Sequence, residues 1–125
     1  MSPYSILVVD DEEPMRKLCG RILGGMGYEA VFAQTLAEAC EKINSQERLD
    51  LLVTDLNLPD GQGLDVIRAA RAKFPAAGVV VITALLSPET LRDEFQSLGV
   101  SEDDILSKPF AVSTFEAAVK AQLQL

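Results

Sequence analysis

Five positions spread over most of the chain carry groups suited to one piece of phosphoryl chemistry: Asp10 and Asp11, then Asp55, Thr83 and Lys108. Three carboxylates gathered in one place cannot all stay charged cheaply unless one takes a proton or a cation neutralises them. The donors are oxygens and the sequence holds no histidine, so the fitting cations are hard ones: Mg²⁺, Mn²⁺ or Ca²⁺ rather than zinc. An open site of two carboxylates plus waters is the usual way Mg²⁺ is held. Such an ion recruits phosphoryl oxygens, a lysine offers a point charge to another oxygen, and a threonine hydroxyl can donate to a third. Asp55, central in the set, can attack as a carboxylate nucleophile.

These residues meet only if the fold delivers them to one place. Each follows or closes a compact apolar run, at 6–9, 51–54, 79–82 and 105–106, and a further run occupies 30–33. Short runs rich in β-branched residues predict buried parallel strands. Between them the apolar spacing turns helical, at Met15, Leu18, Cys19, Ile22, Leu23 and Met26, at Leu36, Ala39, Cys40 and Ile43, and at Leu64, Val66, Ile67, Ala70 and Phe74. Segments 91–98 and 115–123 continue the pattern. Pro14 and Pro88 suit first helical turns, Thr35 and Ser113 suit N-caps, and Gly24, Gly25, Gly27 and Gly99 suit helix exits. The expectation is α/β: a (βα)5 doubly wound parallel sheet in a single domain over residues 1–125. The carboxyl ends of its strands open on one crevice.

Bulk properties narrow the function classes. At 125 residues and 48% hydrophobic content, one domain can bury its core without disulfides or structural metal. A formal net charge of −8 argues against direct nucleic-acid binding or an anionic membrane surface and for protein partners. Two cysteines, Cys19 and Cys40, are too few for a disulfide framework and read as reduced thiols. No signal peptide or membrane span is visible, so the expected setting is cytoplasmic.

With these residues in view, the chain resembles the receiver domains of two-component response regulators along its whole length. The matching segments are Leu7-Val8-Val9-Asp10-Asp11-Glu12, Val53-Thr54-Asp55-Leu56-Asn57-Leu58-Pro59-Asp60-Gly61, Val81-Ile82-Thr83-Ala84 and Ser107-Lys108-Pro109-Phe110. The resemblance implies the flavodoxin-like strand order 2-1-3-4-5. It implies that Asp55 accepts a phosphoryl group from the phosphohistidine of a histidine kinase or phosphotransfer protein. It further implies Mg²⁺, or Mn²⁺, ligated by Asp11, Asp55 and the Asn57 carbonyl, with Asp10 acting through water. Thr83 and Lys108 would contact the phosphoryl group, and Lys108-Pro109 would be a cis peptide. The implied partners are that kinase and a downstream protein or attached output domain, met through the surface around the fourth helix, fifth strand and fifth helix. A homodimer stays open, as does whether the domain stands alone or belongs to a longer regulator.

Taken singly, each residue has a plainer reading: an aspartate after a strand as a cap or turn former, Thr83 as a strand-end threonine, Lys108 as a surface lysine. Glu12 and Glu13 read as charges complementing a helix start, and Pro59 to Gly63 as a turn. The joint occurrence of the five favours the site. Ile105 departs from the pattern, since many receivers carry an aromatic there that swings inward on activation, and Leu85 suggests slow self-dephosphorylation. Two alternatives are a receiver-like interaction module that is not phosphorylated and an aspartyl-nucleophile enzyme. The first would typically lack one of these acids or the lysine, and the second would need a substrate pocket.

Overall fold

The computed structural model describes residues 3–84 and 92–124. Along the chain run β1 (Ile6–Val9), α1 (Glu13–Gly25), β2 (Ala30–Ala33), α2 (Leu36–Ser45), β3 (Leu51–Asp55), β4 (Asn57–Leu58) and β5 (Gly61–Gln62). Then come α3 (Gly63–Lys73), β6 (Gly78–Thr83), α4 (Arg92–Ser97), a single 3-10 turn (Glu102–Asp104), β7 (Ile105–Ser107) and α5 (Val112–Leu123). The positions suggested for Pro88, Leu85, Leu91 and the loop beyond Ala84 lie outside the described residues.

Five parallel strands form one sheet in the order β2-β1-β3-β6-β7, which is the expected 2-1-3-4-5 once the small antiparallel ribbon β4-β5 is set aside. Strand side chains alternate between faces, and the core divides accordingly. Leu7, Val9, Leu52, Val79 and Val81 pack against Ala39, Ile43, Leu64, Ile67 and Phe95 on one side. Ile6, Val8, Val53, Val80 and Ile82 pack against Cys19, Leu23, Phe115 and Val119 on the other.

Three local expectations change. The run at 30–33 is not buried throughout: β2 is an edge strand, with Val31 38% and Phe32 36% exposed. α5 is not capped by Ser113; Ala111 is its N-cap. Phe110 stacks on Phe115 with ring centroids 5.3 Å apart, and this hydrophobic staple across the first turn fixes where the helix begins. Of the glycines suggested as helix exits, Gly24 and Gly25 lie inside α1, whereas Gly27 (φ 90°) and Gly99 (φ 75°) take the left-handed exit conformation. Pro14 in the first turn of α1 and Thr35 as N-cap of α2 stand as expected.

Candidate functional site

The crevice at the carboxyl ends of β1, β3, β6 and β7 receives all five chemistry-bearing positions. β1 ends at Val9, so Asp10 emerges at once and stays fully buried, its N–H donating to Ala33 O at 3.1 Å. Asp55 closes β3 and is 6% exposed, while Thr83 closes β6 and is fully buried. The Lys108 N–H donates to Thr83 O at 2.8 Å, which carries the β6-β7 pairing one residue past β7 and brings the lysine back over the crevice. The Lys108-Pro109 peptide is cis.

Asp10 and Asp55 repeat one geometry. One oxygen of each accepts from the backbone N–H two residues on: Glu12 N to Asp10 Oδ1 at 2.8 Å and Asn57 N to Asp55 Oδ1 at 3.3 Å. The other oxygen faces Lys108 Nζ, at 3.1 Å from Asp10 Oδ2 and 2.9 Å from Asp55 Oδ2. Local turns hold one oxygen of each carboxylate, and the second oxygens converge on the lysine. Arg16 reinforces the first turn, its guanidinium donating to Asp10 O at 2.8 Å. Gly63 is needed behind the second. A Cβ there would collide with the Asp55 carbonyl, and Gly63 N donates to Leu56 O at 2.8 Å, so α3 starts flush against the acceptor loop.

Charge is unbalanced in this crevice. One carboxylate oxygen from each of Asp10, Asp11, Glu12 and Asp55 lies within 4.8 Å of the others, and among the described residues the Lys108 ammonium is the cation paired with Asp10, Glu12 and Asp55. Burial pushes the Asp10 carboxyl above its ordinary value, opposed by the Glu12 N–H and by Lys108, with the Asp55 charge adding to the rise. Burial works against the Lys108 ammonium, but hydrogen bonds and charge from Asp55 and Asp10 outweigh it and raise its pKa. Four hard oxygen donors with no nitrogen or sulfur ligand suit a cation of the Mg²⁺, Mn²⁺ or Ca²⁺ class. Asp11 and Asn57 are exposed at the rim.

Glu12 is the residue the sequence under-read. It is the N-cap of α1, as a helix-start charge should be, and its Oε1 also lies 3.2 Å from Lys108 Nζ. The signal available was its place directly after two aspartates at a strand end. Cys19 has no part in the site: it is fully buried, and burial pushes its thiol up to about 12, while Cys40 is half-buried. Near the outer surface, Phe95 and Phe115 belong to the core and Val112 is 51% exposed. Ile105 is half-buried and, with Phe95 and Val100, lines a groove between α4 and β7.

Comparisons with known proteins agree with this fold. The family model described as the response regulator receiver domain matches residues 6–120. The response regulator protein PilR of Pseudomonas aeruginosa is 35% identical over all of this chain, which corresponds to 27% of PilR. The KDP operon transcriptional regulatory protein KdpE of Escherichia coli is 33% identical over 96% of the chain and 51% of its own length. The chain thus spans about a quarter to a half of these relatives. Among solved structures, a CheY-like response regulator receiver domain protein from Methanospirillum hungatei aligns with TM-score 0.86 and 27% identity, over 97% of this chain and 94% of that one. The beryllofluoride-activated NtrC4 receiver domain dimer aligns with TM-score 0.84 and 34% identity, over 96% of each chain.

Proposed function

Because this chain belongs to the response regulator receiver domain family of two-component systems, we propose that it is a phosphoacceptor. Asp55 takes a phosphoryl group from the phosphohistidine of a histidine kinase or phosphotransfer protein, with Mg²⁺ or Mn²⁺ bound. The observation that carries this reading is the convergence of Asp10 and Asp55 on Lys108, with Thr83 bonded to the lysine's own backbone.

In the proposed step an oxygen of Asp55 attacks phosphorus in line with the departing imidazole. A P–O bond forms and the P–N bond breaks, its electron pair returning to the imidazole, which takes up a proton; the product is an acyl phosphate. Asp11, Asp55 and the Asn57 carbonyl would hold the cation, with Asp10 acting through water. When bound, the cation neutralises charge on the transferring group and between the carboxylates. Lys108 Nζ, 2.9 Å from Asp55 Oδ2, exchanges that carboxylate for a phosphoryl oxygen, and the Thr83 hydroxyl donates to another. Water attack on the same phosphorus would reverse the state, so the domain assists its own dephosphorylation rather than turning over a separate substrate.

Pulling Thr83 and Lys108 towards the phosphoryl group biases β6, β7 and the surface from α4 to α5, changing affinity for a downstream protein, an output domain or a second copy of the chain. Ile105 replaces the usual aromatic, so coupling runs through Thr83 and the adjoining loop. We place the exchange in the cytoplasm, where reduced cysteines persist. The test is intact-mass measurement after incubation with acetyl phosphate and Mg²⁺. One phosphoryl increment is expected on the native chain and none on Asp55→Asn; an increment on the variant would move the nucleophile elsewhere.

A further inference from the structure

The turn that follows the acceptor is fastened to a helix more than twenty residues upstream. Asp60, at the tip of the β4-β5 ribbon, accepts from Leu36 N at 2.7 Å through Oδ1 and from Ala37 N at 3.0 Å through Oδ2. α2 already has a local cap, since Thr35 Oγ1 accepts from Glu38 N at 3.1 Å. Asp60 therefore serves two other N–H groups that the helix leaves unpaired. Its carboxylate is well placed against the positive end of the helix dipole, and these hydrogen bonds hold its pKa below the ordinary value. Next to it Gly61 lets Leu36 close over the ribbon, because a Cβ at that position would meet the Leu36 side chain. At the far end of α2, Lys73 of α3 donates to Ile43 O at 3.3 Å and Asn44 O at 2.6 Å. The segment running from the acceptor loop through α3 thus grips α2 at both ends.

We propose that Asp60 is a positioning residue for the phosphoryl site: by clamping the ribbon to the start of α2, it holds the loop from Asp55 to Asn57 in place. The loop is fixed at its base by the Gly63 N to Leu56 O bond, Leu58 in the ribbon packs into the core, and Asp60 and Gly61 tie its tip to α2. The Asn57 backbone lies between base and tip, in the strand paired with Gly61 and Gln62. Releasing the tip lets this backbone wander, which weakens cation binding before it disturbs the buried Asp55 and Lys108. This inference rests on the phosphoacceptor reading.

The test compares Asp60→Ala and Asp60→Asn with Thr35→Ala, which removes a cap from the same helix without touching the ribbon. Mg²⁺ affinity of the unphosphorylated chain is read by titration calorimetry, and hydrogen exchange is read at the amides of residues 36 and 37. Asp60→Ala is expected to raise the Mg²⁺ Kd by about 3- to 10-fold, at or below the low end of the roughly 10- to 100-fold effects of residues that orient ligands. Thr35→Ala is expected to leave it within about 2-fold, and Asp60→Asn, which keeps one acceptor oxygen, to recover part of the loss. Equal effects of Asp60→Ala and Thr35→Ala, or none from Asp60→Ala, would overturn the positioning role while leaving the phosphoacceptor reading intact. A native chain that binds no Mg²⁺ would overturn both.

Discussion

Both ends of the sheet bury aspartates, Asp10 and Asp55 at one and Asp104 at the other, and they treat them differently. At the carboxyl end Asp10 is fully buried and faces the Lys108 ammonium, which two other carboxylates also share. At the amino end Asp104, 7% exposed, accepts from Gln122 Nε2 at 2.8 Å, and Gln122 Oε1 accepts in turn from Val79 N at 2.9 Å. Burial raises both carboxyl pKa values. At the amino end a neutral amide closes the hydrogen bonds and joins the 3-10 turn, α5 and β6. At the carboxyl end, among the described residues, one cation serves several anions, and negative charge is left over for something to bind. A buried aspartate by itself therefore says little about function; the charge balance of its partners decides between a stitch and a site.

The strongest way to break this contrast is Lys108→Ala. It strips Asp10 and Asp55 of their shared cation, and leaving buried charge uncompensated costs about 3 kcal/mol. Added Mg²⁺ should recover part of that stability by binding the folded state. Acetyl phosphate labelling should fall by about 10²-fold or more, on the scale of losing one transition-state donor. Urea melts with and without Mg²⁺, together with labelling rates, check both. Gln122→Ala should cost less, about 1–3 kcal/mol for unsatisfied buried groups at Asp104 and Val79. Here Mg²⁺ should restore none of the loss and labelling should be unchanged; Mg²⁺ rescue of this variant would erase the distinction between the ends.

Asp104→Asn is the mildest probe. Because folding raises the Asp104 pKa above its unfolded value, its stabilising contribution is complete below the ordinary value of 3.8 and is lost as pH rises through the folded value. The Asn variant keeps an acceptor for Gln122 and lacks this titration. Its stability relative to the native chain should therefore improve from acid to neutral pH, which melts in a pH series will read.

The carboxyl end was the more legible in the sequence. β-branched runs announce strands, and aspartates directly after them announce a crevice once the sheet is parallel. What stayed hidden depends on contacts distant in sequence. Val31 and Phe32 have the composition of a central strand, and only the sheet order makes β2 an edge. Ser113 is a better capping type than Ala111, but the stacking of Phe110 on Phe115 sets the start of α5. Glu12 and Asp60 look like ordinary helix-start and turn acids, since their partners lie 96 and 24 residues away. The Asp104–Gln122 link is hidden for the same reason, neither residue belonging to a local pattern.

The central claim is that Asp55 is the group that takes the phosphoryl. Peptide mapping by mass spectrometry after acetyl phosphate treatment tests it most directly, run with Mg²⁺ and with chelator. The predicted result is a phosphoryl increment confined to Asp55 and present only with Mg²⁺. An increment on Asp10, Asp11 or Glu12, or equal labelling of Asp55 in chelator, would contradict it.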